Sequence, residues 1–216
     1  MKALIFDMDG LMIDSESLYF ETDRELAQEF GKTVKDETLW KMMGRKPIEA
    51  MAVYAEDLGM DICPEELLRI RNKRFAEKLK KSVVPMPGLF EILNEFKGRM
   101  KLSIATGSST EFLKIVLDSL KLHDYFDELT TSDEIRNGKP DPEIYLKSIA
   151  KVKLKPEDCI VLEDSGNGAL AGKRAGCYTI AVPSELTYEQ DFSFVDYKAA
   201  DLHDAREHIK KRFDTD

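Results

Sequence analysis

The sequence is poor in the residues that build disulfide frameworks and zinc sites. Its 216 residues include three cysteines (Cys63, Cys159 and Cys177), and no two of them form a CxxC pair. The three histidines are equally dispersed. Neither a disulfide framework nor a zinc knuckle is therefore indicated, and any functional site must rest on other side chains.

Long apolar runs and an excess of positive charge are also lacking. No apolar stretch approaches the roughly 20 residues that a membrane-spanning helix needs. The short apolar run at the N-terminus is followed by acids, unlike a signal peptide. The formal net charge of −9 argues against a nucleic-acid surface. We therefore expect a cytoplasmic protein that binds neither membranes nor nucleic acid.

The pattern of apolar residues indicates an α/β fold with a helical insertion. Ala3 to Phe6 are typical of a strand buried on both faces, and helical periodicity then runs from residue 16 to about residue 82. From residue 85 onward, strands and helices alternate, as in a parallel sheet. We predict a Rossmann-like three-layer core with a parallel sheet over residues 1–14 and 84–216, and an all-helical cap domain over residues 15–83. Trp40, Met42 and Met43 are expected in the core of that insertion.

Polar side chains follow the strands of the predicted sheet. They are Asp7 and Asp9, Thr106 and Ser108, Lys139 in the loop after its strand, and Glu163 with Asp164. The carboxyl ends of parallel strands meet at one edge of a sheet, where α/β proteins bind ligands. Several carboxylates and one lysine need a further cation, and carboxylate oxygens suit Mg²⁺. A lysine and a hydroxyl group beside that ion would bind a phosphoryl group.

Each of these motifs also has a purely structural interpretation. Asp9-Gly10 can form a turn, and Thr106-Gly107-Ser108 can cap the following helix. Glu163-Asp164-Ser165 can be an acidic helix start, and Lys139 a solvated loop residue. Their joint occurrence favours a site, because independent caps would not place a lysine and four acids on one edge.

These motifs resemble those of the haloacid dehalogenase superfamily. The segments in question are Asp7-Met8-Asp9-Gly10, Thr106-Gly107-Ser108, Lys139-Pro140 and Glu163-Asp164-Ser165-Gly166-Asn167-Gly168. Their order and spacing match the four motifs of that superfamily, and the helical insertion is similar to its cap. Within the superfamily, the chain looks most like the β-phosphoglucomutase and sugar-phosphate phosphatase branch.

The resemblance implies a role for each residue. Asp7 would be the nucleophile that forms an aspartyl-phosphate, and Asp9 the general acid and base. Thr106, Gly107 and Lys139 would bind the transferring phosphoryl group. The Asp7 carboxylate, the backbone carbonyl of Asp9 and the Asp164 carboxylate would hold Mg²⁺, with Glu163 in the outer shell.

The resemblance also implies a substrate class, with one alternative activity. We expect a monomeric Mg²⁺-dependent phosphatase of small phosphorylated carbohydrates. The alternative is a β-phosphoglucomutase, but those mutases carry a cap-loop arginine and a lysine-asparagine pair where this chain has Pro47 and Ser109-Thr110. Arg45 or Lys46 could replace the missing arginine.

Two other classes of protein share part of the pattern. A receiver-type signalling domain also places acids, a threonine and a lysine around Mg²⁺, but its phosphorylated aspartate follows the third strand. A dinucleotide-binding protein would use Gly166, Gly168 and Gly172, which give GxGxxxG rather than GxGxxG. Acids beside that loop would repel a pyrophosphate, which disfavours dinucleotide binding. The position of Asp7 after the first strand disfavours the receiver domain.

Overall fold

The computed structural model describes residues 1–42 and 47–213, which form two compact units. One unit comprises Met1–Asp14 and Val83–Asp216, and the other comprises Ser15–Ser82. Met43, Arg45 and Lys46, on which expectations were placed above, lie outside the described residues.

The larger unit is built on a parallel sheet. Six strands are found in the described chain: β1 (Ala3–Phe6), β2 (Lys101–Ala105), β3 (Glu128–Thr130), β4 (Cys159–Glu163), β5 (Tyr178–Ala181) and β6 (Tyr197–Lys198). Their order is β3-β2-β1-β4-β5-β6, and every neighbouring pair is parallel. The chain therefore builds outward from β1 to β3, and then returns to the other side of β1 with β4. The predicted Rossmann-like α/β fold with a parallel sheet is confirmed.

Helices cover both faces of this sheet. They are α5 (Leu89–Phe96), α6 (Thr110–Leu120), α7 (Glu143–Val152), α8 (Gly166–Arg174) and α9 (Leu202–Phe213), with short 3₁₀ turns between some of them. Ala3 and Ile5 of β1 share a buried core with Tyr145 and Ile149 of α7 and Ala171 of α8. Because side chains alternate along a strand and all of β1 is buried, the opposite face is covered as well.

The smaller unit is a bundle of helices with its own core. These are α1 (Ser15–Glu29), α2 (Asp36–Met42), α3 (Pro47–Leu58) and α4 (Pro64–Lys81). Leu26, Leu39, Tyr54 and Leu67 are among the buried residues that join the four helices. The expectation for Met42 is confirmed, since it is buried, but that for Trp40 is wrong, since it is 58% exposed.

A buried ion pair also lies within the helical unit. Arg71 donates to both carboxylate oxygens of Asp23, at 2.7 and 2.9 Å, and the Asp23 side chain is almost fully buried. The Tyr54 hydroxyl donates to the backbone carbonyl of the same aspartate at 2.6 Å. The bundle thus satisfies its buried charge internally. Across both units, none of the described helices is long and apolar enough to cross a bilayer.

Candidate active site

The polar strand ends of the larger unit meet where the strand order reverses. Asp7 follows β1, Thr106 follows β2, and Glu163 ends β4 with Asp164 next in the chain. Since β1 pairs with both β2 and β4, these residues lie at adjacent carboxyl ends of the sheet. Such a switch point is where open α/β sheets bind their ligands.

Lys139 lies between two buried carboxylates. Its ammonium donates to Asp7 Oδ1 at 2.5 Å and to Glu163 Oε1. All three side chains are largely shielded from water, with the lysine 14% exposed, Asp7 7% and Glu163 1%. Lys139 is therefore a buried site residue rather than a solvated loop lysine.

The Glu163 carboxylate is the most heavily hydrogen-bonded group of the site. Oε1 accepts from Lys139 and from the Tyr145 hydroxyl at 2.9 Å, and Oε2 accepts from the amide and hydroxyl of Ser165 at 3.0 and 2.9 Å. A Cβ on Gly168 would overlap both oxygens of this carboxylate. Gly168 thus makes room for Glu163, which gives this glycine a role other than binding a pyrophosphate.

Asp9 is held by the loop after β2. Its Oδ2 accepts from the hydroxyl groups of Ser108 at 2.7 Å and Thr106 at 3.1 Å. Ser109, not Thr106 or Ser108, caps α6 by accepting from the Phe112 amide. The two hydroxyl groups are therefore directed at Asp9 rather than at the helix. The other oxygen, Oδ1, is buried and has no partner within the described part of the chain.

The two buried carboxyl groups of Asp7 and Glu163 differ in the direction of their pKa shifts. Burial raises the pKa of Asp7 to about 8; the Lys139 ammonium opposes this rise, and the carboxylates of Glu163 and Asp9 add to it. Burial also favours neutral Glu163, but Lys139, Ser165 and Tyr145 together hold the pKa of Glu163 below its usual range. Among the described residues, Lys139 therefore compensates Glu163 and leaves Asp7 short of positive charge.

A metal ion would supply the missing charge. Asp7, Glu163 and Asp164 are all buried, and each offers an oxygen within 4.8 Å of the others. Gly10 approaches this group so closely that a Cβ there would overlap the Asp164 carboxylate. An all-oxygen donor set with excess negative charge fits Mg²⁺. The observed residues therefore fit the predicted ion.

The structure brings most of the predicted site residues together, and it adds Tyr145. Gly107 lies between Thr106 and Ser108, in the loop that binds Asp9, and space is open at its Cβ position. Tyr145 was not among the residues expected there, yet its hydroxyl donates to Glu163. Ser108 was expected at the site, and its hydroxyl donates to Asp9. A buried tyrosine needs a partner for its hydroxyl, so the apolar face of the helix after Lys139-Pro140 was the available signal for Tyr145.

Comparison with known proteins agrees with this geometry. The sequence profile of the haloacid dehalogenase-like hydrolases matches residues 4–182. The phosphorylated carbohydrates phosphatase of Thermotoga maritima is 36% identical over 181 residues, which cover 82% of this chain and 82% of that protein. YhcW of Bacillus subtilis, a candidate phosphatase by name, is 32% identical over 203 residues, covering 92% of this chain and 90% of that one.

A solved structure of similar length shares the whole fold. It is that of a candidate β-phosphoglucomutase from Thermotoga maritima, with a TM-score of 0.84 and 30% sequence identity. The match covers 99% of this chain and 100% of that chain. Both units of the present chain therefore have counterparts in a single relative.

Proposed function

This chain belongs to the haloacid dehalogenase-like hydrolases, and we propose that it is a Mg²⁺-dependent phosphatase of small phosphorylated carbohydrates that works through an aspartyl-phosphate. Phosphoric monoester hydrolysis agrees with both curated relatives, since each carries the name of a phosphatase. The observation that best supports the proposal is the buried array of Asp7, Lys139 and Glu163 at the strand switch point.

In the first half of the proposed reaction, Asp7 attacks the phosphorus atom of the ester. A bond forms between an Asp7 carboxylate oxygen and phosphorus, the phosphorus–oxygen bond to the sugar breaks, and Asp9 donates a proton to the departing alkoxide. Thr106 and Lys139 bind the phosphoryl oxygens. The Lys139 ammonium is well placed for this role, because it donates to the Asp7 carboxylate.

In the second half, water hydrolyses the aspartyl-phosphate. Asp9 accepts a proton from the water as the water oxygen forms a bond to phosphorus. The bond between phosphorus and the Asp7 carboxylate oxygen breaks, which releases inorganic phosphate and regenerates Asp7. The hydroxyl group of Ser108 holds Asp9 in position for both proton transfers. Mg²⁺, held by Asp7, Asp164 and the backbone carbonyl of Asp9 with Glu163 in the outer shell, would reduce the repulsion between carboxylate and phosphate.

A β-phosphoglucomutase activity is the second candidate, supported by the name of the structural relative. A mutase must hold a second phosphate group. The residues that follow the second motif are engaged elsewhere, because Ser109 caps α6 and the Thr110 amide donates to Asp133 at 2.9 Å. An acidic neighbour at this position disfavours a second phosphate, so we rank the phosphatase first.

The first test is phosphate release from a panel of sugar monophosphates, with and without Mg²⁺. Glucose 6-phosphate formation from β-glucose 1-phosphate, with a bisphosphate primer, is followed in parallel. We expect Mg²⁺-dependent release from several sugars. Faster formation of glucose 6-phosphate than of free phosphate would favour the mutase, and no release from any sugar would contradict the phosphatase.

We further propose that the enzyme acts as a cytoplasmic monomer on small molecules. The negative net charge of the chain is consistent with a partner that is not a nucleic acid. Size-exclusion chromatography with light scattering is expected to give the mass of one chain, and a dimer mass at working concentration would contradict the monomer.

A further inference from the structure

Tyr145 is a fully buried tyrosine beside the proposed reaction centre. It lies in the first turn of α7, and its side chain contributes to the core between that helix and the sheet. Its hydroxyl donates to Glu163 Oε1 at 2.9 Å. Packing alone would be satisfied by phenylalanine, so the hydroxyl calls for a separate explanation.

The same tyrosine also contacts Lys139 through its ring. The Lys139 ammonium lies 5.1 Å from the ring centroid, within the range of a cation–π interaction. The ammonium therefore has the carboxylates of Asp7 and Glu163 as partners, together with the ring of Tyr145. Tyr145 thus touches both members of the Lys139–Glu163 ion pair.

We propose that Tyr145 is a positioning residue for phosphoryl transfer. Its hydroxyl fixes Glu163 and its ring supports Lys139, so that the ammonium stays directed at Asp7 and at the phosphoryl group. This inference deepens the proposed phosphatase function and rests on it. Tyr145 does not touch the reacting atoms itself, and its effect is transmitted through Glu163 and Lys139.

The loss of the hydroxyl has a definite physical consequence. In Tyr145→Phe, Glu163 Oε1 keeps Lys139 as its partner in the observed network but loses the tyrosine donor. A buried carboxylate with fewer donors attracts the ammonium more strongly, and this draws Lys139 away from Asp7. Phosphate then meets a displaced cation, although the Asp7 and Asp164 carboxylates are unchanged.

The test compares Tyr145→Phe with Tyr54→Phe. Tyr54 is also fully buried and also donates its hydroxyl, but to a backbone carbonyl within the helical unit. We expect kcat/KM and the calorimetric affinity for inorganic phosphate, at saturating Mg²⁺, to fall about tenfold in Tyr145→Phe. Both values should stay within about twofold of wild type in Tyr54→Phe, although that variant also loses stability.

A double-mutant cycle with Glu163→Gln tests the route of the effect. If Tyr145 acts through Glu163, adding Tyr145→Phe to Glu163→Gln costs little further activity or phosphate affinity. A full tenfold loss in that background would overturn the proposal. So would wild-type phosphate affinity and kcat/KM in Tyr145→Phe itself. Circular dichroism of the same samples gives the folded fraction, by which the rates and binding stoichiometries are corrected.

Failure of this proposal differs from failure of the proposed function. If the wild-type chain hydrolyses no sugar phosphate but Tyr145→Phe still weakens phosphate binding, the phosphatase is wrong and the positioning role stands. If the wild-type chain is an active phosphatase and the variant matches it in rate and phosphate affinity, the positioning role alone is wrong.

Discussion

At the residue scale, the proposed chemistry depends on one aspartate. Asp7 is buried, and it shares Lys139 with Glu163. We expect Asp7→Asn to reduce turnover at least about 10³-fold, because the amide cannot form the aspartyl-phosphate. The variant should remain folded, since it replaces one of several crowded carboxylates by a neutral group of the same shape.

The measurement is phosphate release from the best sugar phosphate, with circular dichroism as the check on folding. Asp118→Asn is the matched control, because Asp118 is 57% exposed and pairs with His123 on the surface. Turnover close to wild type in Asp7→Asn would remove Asp7 as the nucleophile.

The sequence predicted the charged residues of the site better than their supports. Asp7, Asp9, Lys139, Glu163 and Asp164 stand out because acids and a lysine at strand ends are unusual without a ligand. Tyr145 gave a weaker signal, since an aromatic residue on the apolar face of a helix usually belongs to the core and serves no site. Only the three-dimensional path of the chain shows that its hydroxyl reaches a strand end.

At the scale of elements, the first turn of α8 lies very close to the end of strand β4. Gly168 lies in the first turn of α8, and a side chain there would overlap the Glu163 carboxylate. Alanine is favoured over glycine by about 1 kcal/mol in a helix interior. Displacing a carboxylate held by four donors costs more, since overpacking typically costs about 1–3 kcal/mol and unpaired donors add to this.

We therefore expect Gly168→Ala to lower the free energy of unfolding and to impair phosphate release. Urea denaturation of the metal-free protein measures the first effect. Gly138→Ala is the control for stability, because a Cβ at Gly138 meets open space, and its effect should stay within about 0.5 kcal/mol. Equal stability of the two variants would show that Glu163 is not confined as observed.

His208, which lies beside strands β5 and β6, leads to a second prediction at the scale of elements. His208 of α9 stacks on Tyr197 with ring centroids 3.7 Å apart, and its Nε2 is 2.9 Å from the Tyr178 hydroxyl. Burial and the Arg212 cation lower the pKa of His208 from 6.5, and the Lys211 cation lowers it further. The Asp204 carboxylate opposes this decrease. The unfolded chain, with the ordinary histidine pKa, therefore binds more protons than the folded chain just below pH 6.5.

This group accordingly contributes stability that is lost as the pH falls below about 6.5. The free energy of unfolding, measured in urea at pH 7.5, 6.5 and 5.5, should decline less steeply for His208→Gln than for wild type. An identical slope for the two proteins would contradict the contribution of His208.

Local signals in the sequence are clear for the longer elements and weak for the short ones. The helices that begin at Pro47 and Pro64 follow from proline at the first helical position and from apolar spacing. Helix α2 and strand β6 are too short for periodicity to show. The exposure of Trp40 was missed for a related reason, since a large aromatic side chain is usually buried and sequence gives no view of its surroundings.

At the scale of the whole molecule, the strand order could not be taken from the sequence. Alternating strands and helices predict a parallel sheet but do not say on which side of β1 the strand β4 lies. The return of the chain after β3 creates the switch point, and with it the cluster of Asp7, Glu163 and Asp164. The family resemblance supplied what local patterns could not, because it associates the four motifs with one site.

The buried negative charge predicts a response of the whole fold to metal. In the described part of the chain, Asp7 and Glu163 share Lys139, and both lie with Asp164 in a buried acidic cluster, so a divalent cation should bind the folded chain far better than the unfolded chain. At a hundredfold excess over its Kd, Mg²⁺ would add about 2.7 kcal/mol to the free energy of unfolding. Thermal unfolding should shift upward with Mg²⁺ and return with EDTA.

Asp164→Asn is the variant that tests this response. It removes one donor charge while keeping the shape of the side chain, so the upward shift should be reduced at equal Mg²⁺ concentration. A wild-type shift in Asp164→Asn, or no shift in the wild-type chain, would contradict a metal site at these carboxylates.

The exposed Trp40 can serve as an intrinsic fluorescent probe of unfolding. It is the single tryptophan of the chain, and it lies in α2 of the helical unit. Emission excited at the red edge of the spectrum therefore comes from one unit alone, whereas the far-ultraviolet signal sums the helices of both. When tryptophan emission and far-ultraviolet circular dichroism are recorded in one denaturation, the unfolding of the helical unit can be distinguished from that of the larger unit. No dye needs to be attached.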